Sequence, residues 1–358
     1  MTTLAGTGTA GYTITRHDPL HDTDDEIAER VAFGNIMSRE VLPDDPPSTV
    51  EQAIAATRSS PERIRRISFR VRNAEGVLVG SAGTNIDPED DNPDVLFAGL
   101  NLLADHRRLG LGTRLLAELV RLAREEGKTR LIAHTVEGRP GPEFAEAVGA
   151  TTKQANHMNH LPLAEVDRPM LERWVSEAAD RAADYGLIGW DGPVPDAHMA
   201  KWLDLVVVMN TAPRDDLQLN DFTITEQDIK DMEKMMAAVG YENWTLVAQH
   251  RATGDWAGFH DVSHNPTEPQ FAYVGATGVR PEHRGHALGK WLKAAMTLRV
   301  LDEKPDVTNI RTGNADSNDA MLGINKEMGY RPLIGQSAWE LPVETAAAWL
   351  ETRGALLD

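Results

Sequence analysis

Two short stretches decide the fold: HRRLGLGTRLL at residues 106–116 and HRGHALGKWL at residues 283–292. Each stretch follows an apolar run, places small residues after an arginine, and leads into apolar residues at helical spacing. Small residues let the backbone turn tightly and approach a ligand closely. The first N–H groups of the following helix have no partner within it, and together with the helix dipole they favour an anion such as a pyrophosphate. The sequence therefore predicts two strand–loop–helix anion sites.

The predicted elements around the two loops also repeat. Arg107 and Gly149 in the first half correspond to Arg284 and Gly329 in the second half, at nearly equal offsets. In each half, strands and a hairpin precede the loop, and a helix, a strand, a short helix and a last strand follow it. Two copies of one α/β unit are the simplest explanation.

We predict an N-terminal domain at residues 1–161 and a C-terminal domain at residues 185–358, joined by a charged helical segment at 162–184. The stretch TTKQANHMNHL, residues 151–161, is predicted to be the last strand of the first domain. The stretch GQSAWEL, residues 335–341, is predicted to close the sheet of the second domain.

The composition limits the classes of function. The 358 residues carry a formal net charge of −19, include no cysteine and are 41% hydrophobic, without an apolar run long enough for a membrane span. An acidic chain is a poor candidate for nucleic acid, whose phosphates are neutralised by Lys and Arg. The negative charge favours a cationic substrate such as an amine, or serves only solubility. The N-terminus does not resemble a secretory signal, so we expect a soluble cytoplasmic protein.

The stretch VRPEHRGHALGKWL, residues 279–292, resembles the acyl-CoA-binding motif of the GNAT superfamily of N-acetyltransferases. The first loop matches this motif less fully, because Ala104 stands where proline is usual and Arg108 where glycine is usual. NADSNDAMLGINKEMGY, residues 314–330, resembles the later motif of the family, a helix led by Asn318 that ends in Gly329 and Tyr330. The resemblance covers nearly the whole chain as two tandem GNAT units.

The resemblance implies an α/β (α+β) fold in which each unit has a mixed, mostly antiparallel sheet with a splayed central strand pair flanked by helices. It also implies acetyl-CoA as cofactor, held by the edge of the fourth strand and the backbone of the loop. Carried over to this sequence, the cofactor-binding residues of the second unit are Thr277, Gly278, Val279, Arg284, Gly285, His286, Ala287, Leu288, Gly289, Lys290, Asn314 and Asn318. Those of the first unit are Leu102, Leu103, Arg107, Arg108, Leu109, Gly110, Leu111, Gly112 and Thr113.

The resemblance further implies direct attack of an amine on the thioester. The family often uses a tyrosine as the acid, but Asn325 and Ala145 occupy that position in the two copies. Asn325 is a candidate for a hydrogen bond to the sulfur. His260, Asp261 and Tyr273 are candidates for the base, although a sheet histidine or a core tyrosine also explains two of them.

His106 and His283 occupy the same place in the two loops, where each could contact a phosphate or simply be solvated. The sequence contains no His or carboxylate pattern typical of a metal site, so no metal is predicted.

These observations predict an acyl-CoA-dependent N-acetyltransferase that acts on a primary amine, most simply that of a small molecule. The second unit keeps more of the motif and is predicted to be catalytic, while the first is degenerate or only binds the cofactor. A non-catalytic acyl-CoA sensor and a protein N-acetyltransferase remain the alternatives. We expect no nucleic-acid or membrane partner, and either a monomer or a homodimer.

Overall fold

The computed structural model describes residues 11–355, with the side chain of Ala179 excepted. The described chain divides into two compact units, and both are discontinuous in sequence. Unit 1 contains the first 154 residues, Asp216–Asn220 and Gln336–Asp358. Unit 2 contains Ala155–Asp215 and Asp221–Gly335.

The elements of the first half follow the order predicted from the sequence. The strands are β1 (Thr13–His17), β2 (Arg65–Arg72), β3 (Leu78–Ile86), β4 (Val95–Leu102), β5 (Arg130–Val136) and β6 (Thr151–Pro162). The helices are α1 (Asp24–Val41), α2 (Val50–Ser59), α3 (Leu111–Glu125) and α4 (Pro140–Ala147). Thr23 and Glu26 form a capping box that starts α1, because each side chain binds a backbone N–H of the other residue.

The second half repeats this order. Its strands are β7 (Tyr185–Asp191), β8 (Glu242–His250), β9 (Trp256–His264), β10 (Phe271–Val279), β11 (Asn309–Ala315) and β12 (Arg331–Pro342). Its helices are α5 (Arg168–Arg181), α6 (Asp196–Val206), α7 (Glu226–Val239), α8 (Leu288–Glu303), α9 (Asp319–Met328) and α10 (Val343–Glu351). The sequence analysis had not predicted α10.

The last strand of each half joins the sheet of the other unit, which corrects the predicted domain boundaries. In unit 1 the strand order is β1-β2-β3-β4-β5-β12, and in unit 2 it is β6-β11-β10-β9-β8-β7. Residues 156–162 of β6 pair antiparallel with β11, and residues 336–342 of β12 pair antiparallel with β5. The stretch at 151–161 is a strand, as predicted, but its residues 156–161 pair in the sheet of unit 2 rather than closing a first domain. Strand pairing is not local in sequence, so periodicity identifies such a strand without identifying its partner.

The helix that follows each of these strands completes the core of the unit it joins. In unit 1, buried Leu341, Val343 and Leu350 of β12 and α10 pack with the apolar face of α3. In unit 2, buried Leu161 and Leu171 pack against α8 and the sheet. The segment predicted to be a linking helix is thus a core helix of unit 2, because its apolar residues are buried there.

We expect a fragment of residues 185–358 to fail to fold, because it lacks β6, α5 and the leucines they bury. Each buried leucine that is lost costs about 2–5 kcal/mol, against a total domain stability of about 5–15 kcal/mol. A matched fragment of residues 151–335 keeps these elements and is expected to unfold cooperatively. Circular dichroism during thermal unfolding checks both fragments. Equal melting of the two would contradict the assignment of β6 and α5 to unit 2.

Candidate active site in unit 2

The loop between β10 and α8 leaves the first N–H groups of α8 open. Gly285 and Ala287 both have positive φ values, of 88° and 59°, so the chain turns tightly before the helix. Ala287 is the N-cap residue, and its side chain makes no capping hydrogen bond. No side chain caps the first N–H groups of α8, and anion binding at this place stays a prediction.

The guanidinium groups of the two loop arginines support the loops. In unit 2, Nε of Arg284 donates to the carbonyl oxygen of Val279 at 3.1 Å, and Nη2 donates to Oγ1 of Thr211 at 2.7 Å. In unit 1, Nε of Arg107 donates to the carbonyl oxygen of Leu102 at 2.9 Å. Each arginine thus ties the end of a strand to the loop that follows it.

The central strands of both units separate after a short stretch of parallel pairing. In unit 2, β10 pairs with β11 at Phe271–Tyr273, and in unit 1, β4 pairs with β5 at Val95–Phe97. The remainder of β10 contributes to a cavity of about 660 Å³. Predicted binding residues that line this cavity are Thr277, Gly278, Val279, Arg284, Gly285, Ala287, Leu288, Gly289, Lys290 and Asn318.

A β-bulge in β10 lies opposite Asp261 of β9. The register of β10 against β9 shifts between Val274 and Thr277, so Gly275 and Ala276 both lie opposite Asp261. The N–H of Ala276 donates to Oδ1 of Asp261 at 2.9 Å. Enclosure of the carboxylate raises the pKa of Asp261 to about 7, although this hydrogen bond opposes the rise.

Comparison with known proteins agrees with this geometry. Residues 36–142 match the model of the acetyltransferase (GNAT) family. A solved tandem GNAT protein from the clavulanic acid biosynthesis pathway has a TM-score of 0.72 and 26% identity, covering 93% of this chain and 98% of that one. This chain carries a GNAT acetyltransferase domain in a tandem GNAT fold.

Two other solved structures share the GNAT fold at lower identity. A GCN5-related N-acetyltransferase from Sphaerobacter thermophilus has a TM-score of 0.59 and 11% identity, covering 92% of this chain and 96% of that one. The glucosamine N-acetyltransferase region of a fungal multi-domain GH3 β-N-acetylglucosaminidase has a TM-score of 0.61 and 13% identity, covering 93% of this chain and 38% of that one. A search of curated proteins found no match.

The family match falls on GNAT unit 1, although the second loop carries the fuller motif. At the position equivalent to Asp261 and its bulge in unit 2, unit 1 pairs Gly83 with Gly99. The pairing of β3 with β4 keeps one register from Gly80 to Thr84. The sheet of unit 1 thus has no side-chain carboxylate at this position.

His260 is buried, with 2% of its surface exposed. Its Nδ1 lies 2.8 Å from Oγ1 of Thr277 and 3.3 Å from the carbonyl oxygen of Ala276. Burial and the nearby charge of Lys293 hold the pKa of His260 well below its usual range. The ring of His260 is therefore neutral and enclosed.

Asn325 and Asn314 form a buried amide pair in GNAT unit 2. Nδ2 of Asn325 donates to Oδ1 of Asn314 at 2.7 Å. Oδ1 of Asn325 is buried and has no hydrogen-bond partner within residues 11–355. Asn314, predicted to contact the cofactor, is thus hydrogen-bonded to Asn325, and neither residue is among those that line the cavity.

Two further predicted site residues, Tyr273 and Asn318, form hydrogen bonds with neighbouring protein groups. The hydroxyl of Tyr273 donates to Oε2 of Glu268 at 3.2 Å. Burial and the charge of Glu268 raise the pKa of Tyr273, so this phenol is a poor base near neutral pH. Oδ1 of Asn318 accepts from the N–H of Met321 at 3.3 Å, which makes Asn318 the N-cap of α9.

Both loop histidines bind a tyrosine, an arrangement that the sequence analysis missed. Nδ1 of His283 lies 3.0 Å from the hydroxyl of Tyr185, and Nδ1 of His106 lies 2.8 Å from the hydroxyl of Tyr12. His286, predicted to contact the cofactor, has its ring 5.4 Å from the ring of Tyr185. The sequence did contain a signal for this pair, because a tyrosine near the start of the first strand recurs in both repeats.

The remaining predicted residues of unit 1 lie on the equivalent loop. Arg108 and Gly110 have positive φ values of 60° and 80°, and Gly110 is the N-cap of α3. The loop cations are paired with carboxylates, because Nη2 of Arg107 lies 2.6 Å from Oε2 of Glu40 and Nη2 of Arg108 lies 2.6 Å from Oε2 of Glu143. The other predicted residues belong to the same strand–loop–helix segment: Leu102, Leu103, Leu109, Leu111, Gly112 and Thr113.

One group of side chains in unit 1 has the spacing of metal ligands. Possible ligand atoms of His17, Asp22 and Glu26 all lie within 4.8 Å of one another. Asp22 already forms a buried ion pair with Arg70, and Glu26 caps α1. These carboxylates therefore have structural roles, and no metal is assigned.

We expect Gly275→Ala to displace the carboxylate of Asp261, because a Cβ at this position would clash with Oδ2 of Asp261. Loss of the hydrogen bond from Ala276 would lower the free energy of unfolding by about 1–2 kcal/mol. Gly313→Ala is the matched control, since a Cβ there meets nothing within 4 Å among the described atoms. Urea unfolding at neutral pH measures the free energy of unfolding of both variants. Equal losses would disprove the close approach of Gly275 to the carboxylate of Asp261.

Proposed function

We propose that the protein is an N-acetyltransferase that moves the acetyl group of acetyl-CoA to the primary amine of a small molecule, and that unit 2 performs the reaction. One observation supports this most directly. The cavity of unit 2 joins the N-terminus of α8 to the edge of β10 at Thr277–Val279, and Asp261 accepts a hydrogen bond from Ala276, the residue before that edge. The general GNAT fold supports acetyl transfer, and this arrangement supports the assignment to one unit.

The residues of the cavity fit an acyl-CoA. The uncapped start of α8 at Leu288 would hold a diphosphate, and Arg181 and Arg284 add positive charge to the lining. Lys290 also lines the cavity, with its ammonium paired to Glu327. The edge of β10 at Thr277–Val279, free of β11, would bind the extended arm through backbone groups. Acetyl-CoA would supply an acetyl group activated as a thioester.

Asp261 would accept the proton that the amine loses on attack. A pKa of about 7 leaves this carboxyl group partly ionised at neutral pH, which suits a general base. The negative charge of the chain and of Asp261 would also attract a cationic amine. Positioning of the amine against the acyl carbon supplies most of the remaining rate enhancement.

The two loops differ in their electrostatics, which supports unit 2 as the principal acyl-CoA site. In unit 1 the guanidinium of Arg107 is paired with the carboxylate of Glu40, whereas in unit 2 Arg284 binds the neutral hydroxyl of Thr211. A carboxylate beside the loop weakens its attraction for a diphosphate. Unit 1 would therefore bind acyl-CoA more weakly than unit 2, or not at all.

We expect Gly289→Glu to abolish tight binding of acetyl-CoA, because it places a carboxylate at the N-terminus of α8. Gly112→Glu is the matched change in unit 1, and its Cβ would be in ordinary contact with Phe144, as that of Gly289 would be with Ile324. Calorimetric titration should show one tight equivalent in the wild type and in Gly112→Glu. Loss of tight binding in Gly112→Glu alone would instead assign the site to unit 1.

We expect Asp261→Asn to lower kcat for acetyl transfer by about 100-fold, since an amide cannot accept the proton. In the wild type, kcat should fall as the pH drops below about 7, in line with the raised pKa of Asp261, and this decline should disappear in the variant. Release of CoA, followed with a thiol reagent over a panel of amines, measures both effects.

The melting temperature of Asp261→Asn distinguishes a role of Asp261 as general base from a role in maintaining the fold. The pKa of Asp261 is raised above its unfolded value of about 3.9, so its favourable contribution to stability is present at low pH and lost as the pH rises through about 7. Asp261→Asn should therefore melt at a higher temperature than the wild type at pH 8 while being less active. A lower melting temperature at pH 8 would contradict the assignment.

An acyl-CoA sensor is the second candidate, and the buried Asn325 at the position of the usual acid favours it. A sensor would bind acetyl-CoA tightly and release no CoA with any amine. Peptides with free amino groups, included in the same panel, test the protein N-acetyltransferase alternative.

A further inference from the structure

The helix α5, which follows β6, runs antiparallel to α8 in unit 2. At the start of α5, Nη1 of Arg168 lies 2.7 Å from Oδ1 of Asp302, near the end of α8. Just after the end of α5, buried Ala182 shares one apolar cluster with Leu288 and Leu292 in the first turns of α8. The end of α5 therefore lies beside the start of α8, where the diphosphate is proposed to bind.

Arg181, the last residue of α5, contributes to the wall of the cavity of about 660 Å³. The residue is exposed, and its guanidinium forms no ion pair or hydrogen bond with the part of the chain that the structure describes. The dipole of α5 favours a cation at this end of the helix in any case. The other basic residues of the cavity therefore decide whether Arg181 is needed for a ligand.

The other basic side chains of the cavity are already engaged by protein groups. Arg284 donates hydrogen bonds to its own strand end and to a threonine, and the ammonium of Lys290 is paired with Glu327. Nδ1 of His283 lies 3.0 Å from a tyrosine hydroxyl. Within the described lining, Arg181 is thus the basic residue that keeps its hydrogen-bonding capacity for a ligand.

The charges of the cavity walls direct the far end of the carrier toward α5. An acyl-CoA carries a phosphate on the 3′-oxygen of its ribose in addition to the diphosphate. Besides β10, its following loop and α8, the cavity is lined by residues 208–213, by the start of α9 and by Arg181. Residues 208–213 carry no charge, and α9 contributes the carboxylate of Asp319, which repels a phosphate. Arg181 attracts one.

We propose that Arg181 binds the 3′-phosphate of acyl-CoA and thereby selects a 3′-phosphorylated nucleotide as the acyl carrier. This proposal rests on the acyl-CoA site proposed for unit 2. A guanidinium presents two parallel N–H groups to a phosphate, and such charge-assisted pairs are stronger than neutral hydrogen bonds. A dephospho-CoA thioester, or a thioester on the phosphopantetheine arm of a carrier protein, lacks this phosphate and would bind more weakly.

The arginine that follows the equivalent helix of unit 1 is bound by its own neighbours. In unit 1 the apolar face of α3 packs against α10. The guanidinium carbon of Arg353, after α10, lies 3.8 Å from the centre of the Trp349 ring, and Nη1 donates to Oγ1 of Thr352 at 3.0 Å. This arrangement agrees with unit 2 as the principal acyl-CoA site.

The test measures the dissociation constants of CoA and dephospho-CoA by calorimetric titration. The wild type should bind CoA about 10- to 100-fold more tightly than dephospho-CoA, as expected for a hydrogen-bonded pair of charged groups. Arg181→Met should remove this preference and bind both ligands as the wild type binds dephospho-CoA. Arg173→Met is the matched control and should keep the full preference, because Arg173 lies exposed on the same helix and does not line the cavity.

Arg181→Lys distinguishes a direct phosphate contact from general attraction. Lysine keeps the charge but loses the planar pair of donors, so this variant should keep a smaller preference for CoA than the wild type. If Arg181→Met weakened binding of CoA and dephospho-CoA equally, or changed neither, the proposal would be overturned. The melting temperature of each variant without ligand should equal that of the wild type, since the arginine is exposed.

Kinetic measurements separate this proposal from the proposed acetyl transfer. The 3′-phosphate is remote from the acyl carbon, so Arg181→Met should raise KM for acetyl-CoA and leave kcat nearly unchanged. If no amine releases CoA but Arg181→Met loses the preference for CoA, acetyl transfer fails and the phosphate contact stands. If amines release the carrier equally well from acetyl-CoA and acetyl-dephospho-CoA in the wild type, the phosphate contact fails and acetyl transfer stands.

Discussion

The separation of β10 from β11 after Tyr273 is the constraint on which the site of unit 2 depends. Three residues of parallel pairing anchor the two strands, and the bulge at Gly275 and Ala276 then turns the edge of β10. A strand in an intact sheet uses its backbone groups on both sides, and would have none left for an extended ligand. The same bulge brings the N–H of Ala276 to Asp261 and so holds the carboxylate, while the strands of unit 1 separate without an equivalent bulge.

The two units show how one scaffold can carry different chemistry. Both keep the strand–loop–helix, the arginine that bonds back to the strand end, and the Tyr–His pair. They differ in the buried positions around the separated strands, where unit 2 has His260 and Lys293 and unit 1 has alanine and leucine. Burying polar groups without full hydrogen bonding lowers stability, so their presence in one copy points to a functional demand there.

The exchange of last strands means that neither sheet is built from one continuous half of the chain. β6 and α5 supply part of the core of unit 2, while β12 and α10 supply part of the core of unit 1. Each sheet is therefore complete only when a segment distant in sequence has been added. Contacts of this kind have a high entropic cost of closure, which makes their formation late and slow in folding.

The sequence by itself determined the repeat, the order of elements and the two strand–loop–helix segments, because these depend on local periodicity and on small residues at fixed spacing. It also identified the departure at Asn325 and named His260, Asp261 and Tyr273 near the site. Only the tertiary structure decided which sheet β6 and β12 join, which of these side chains is enclosed or partnered, and that the amine of Lys293 is buried without a hydrogen-bond partner among the described residues. Strand partners, desolvation and shifted pKa values arise from residues distant in sequence, so no local pattern contains them.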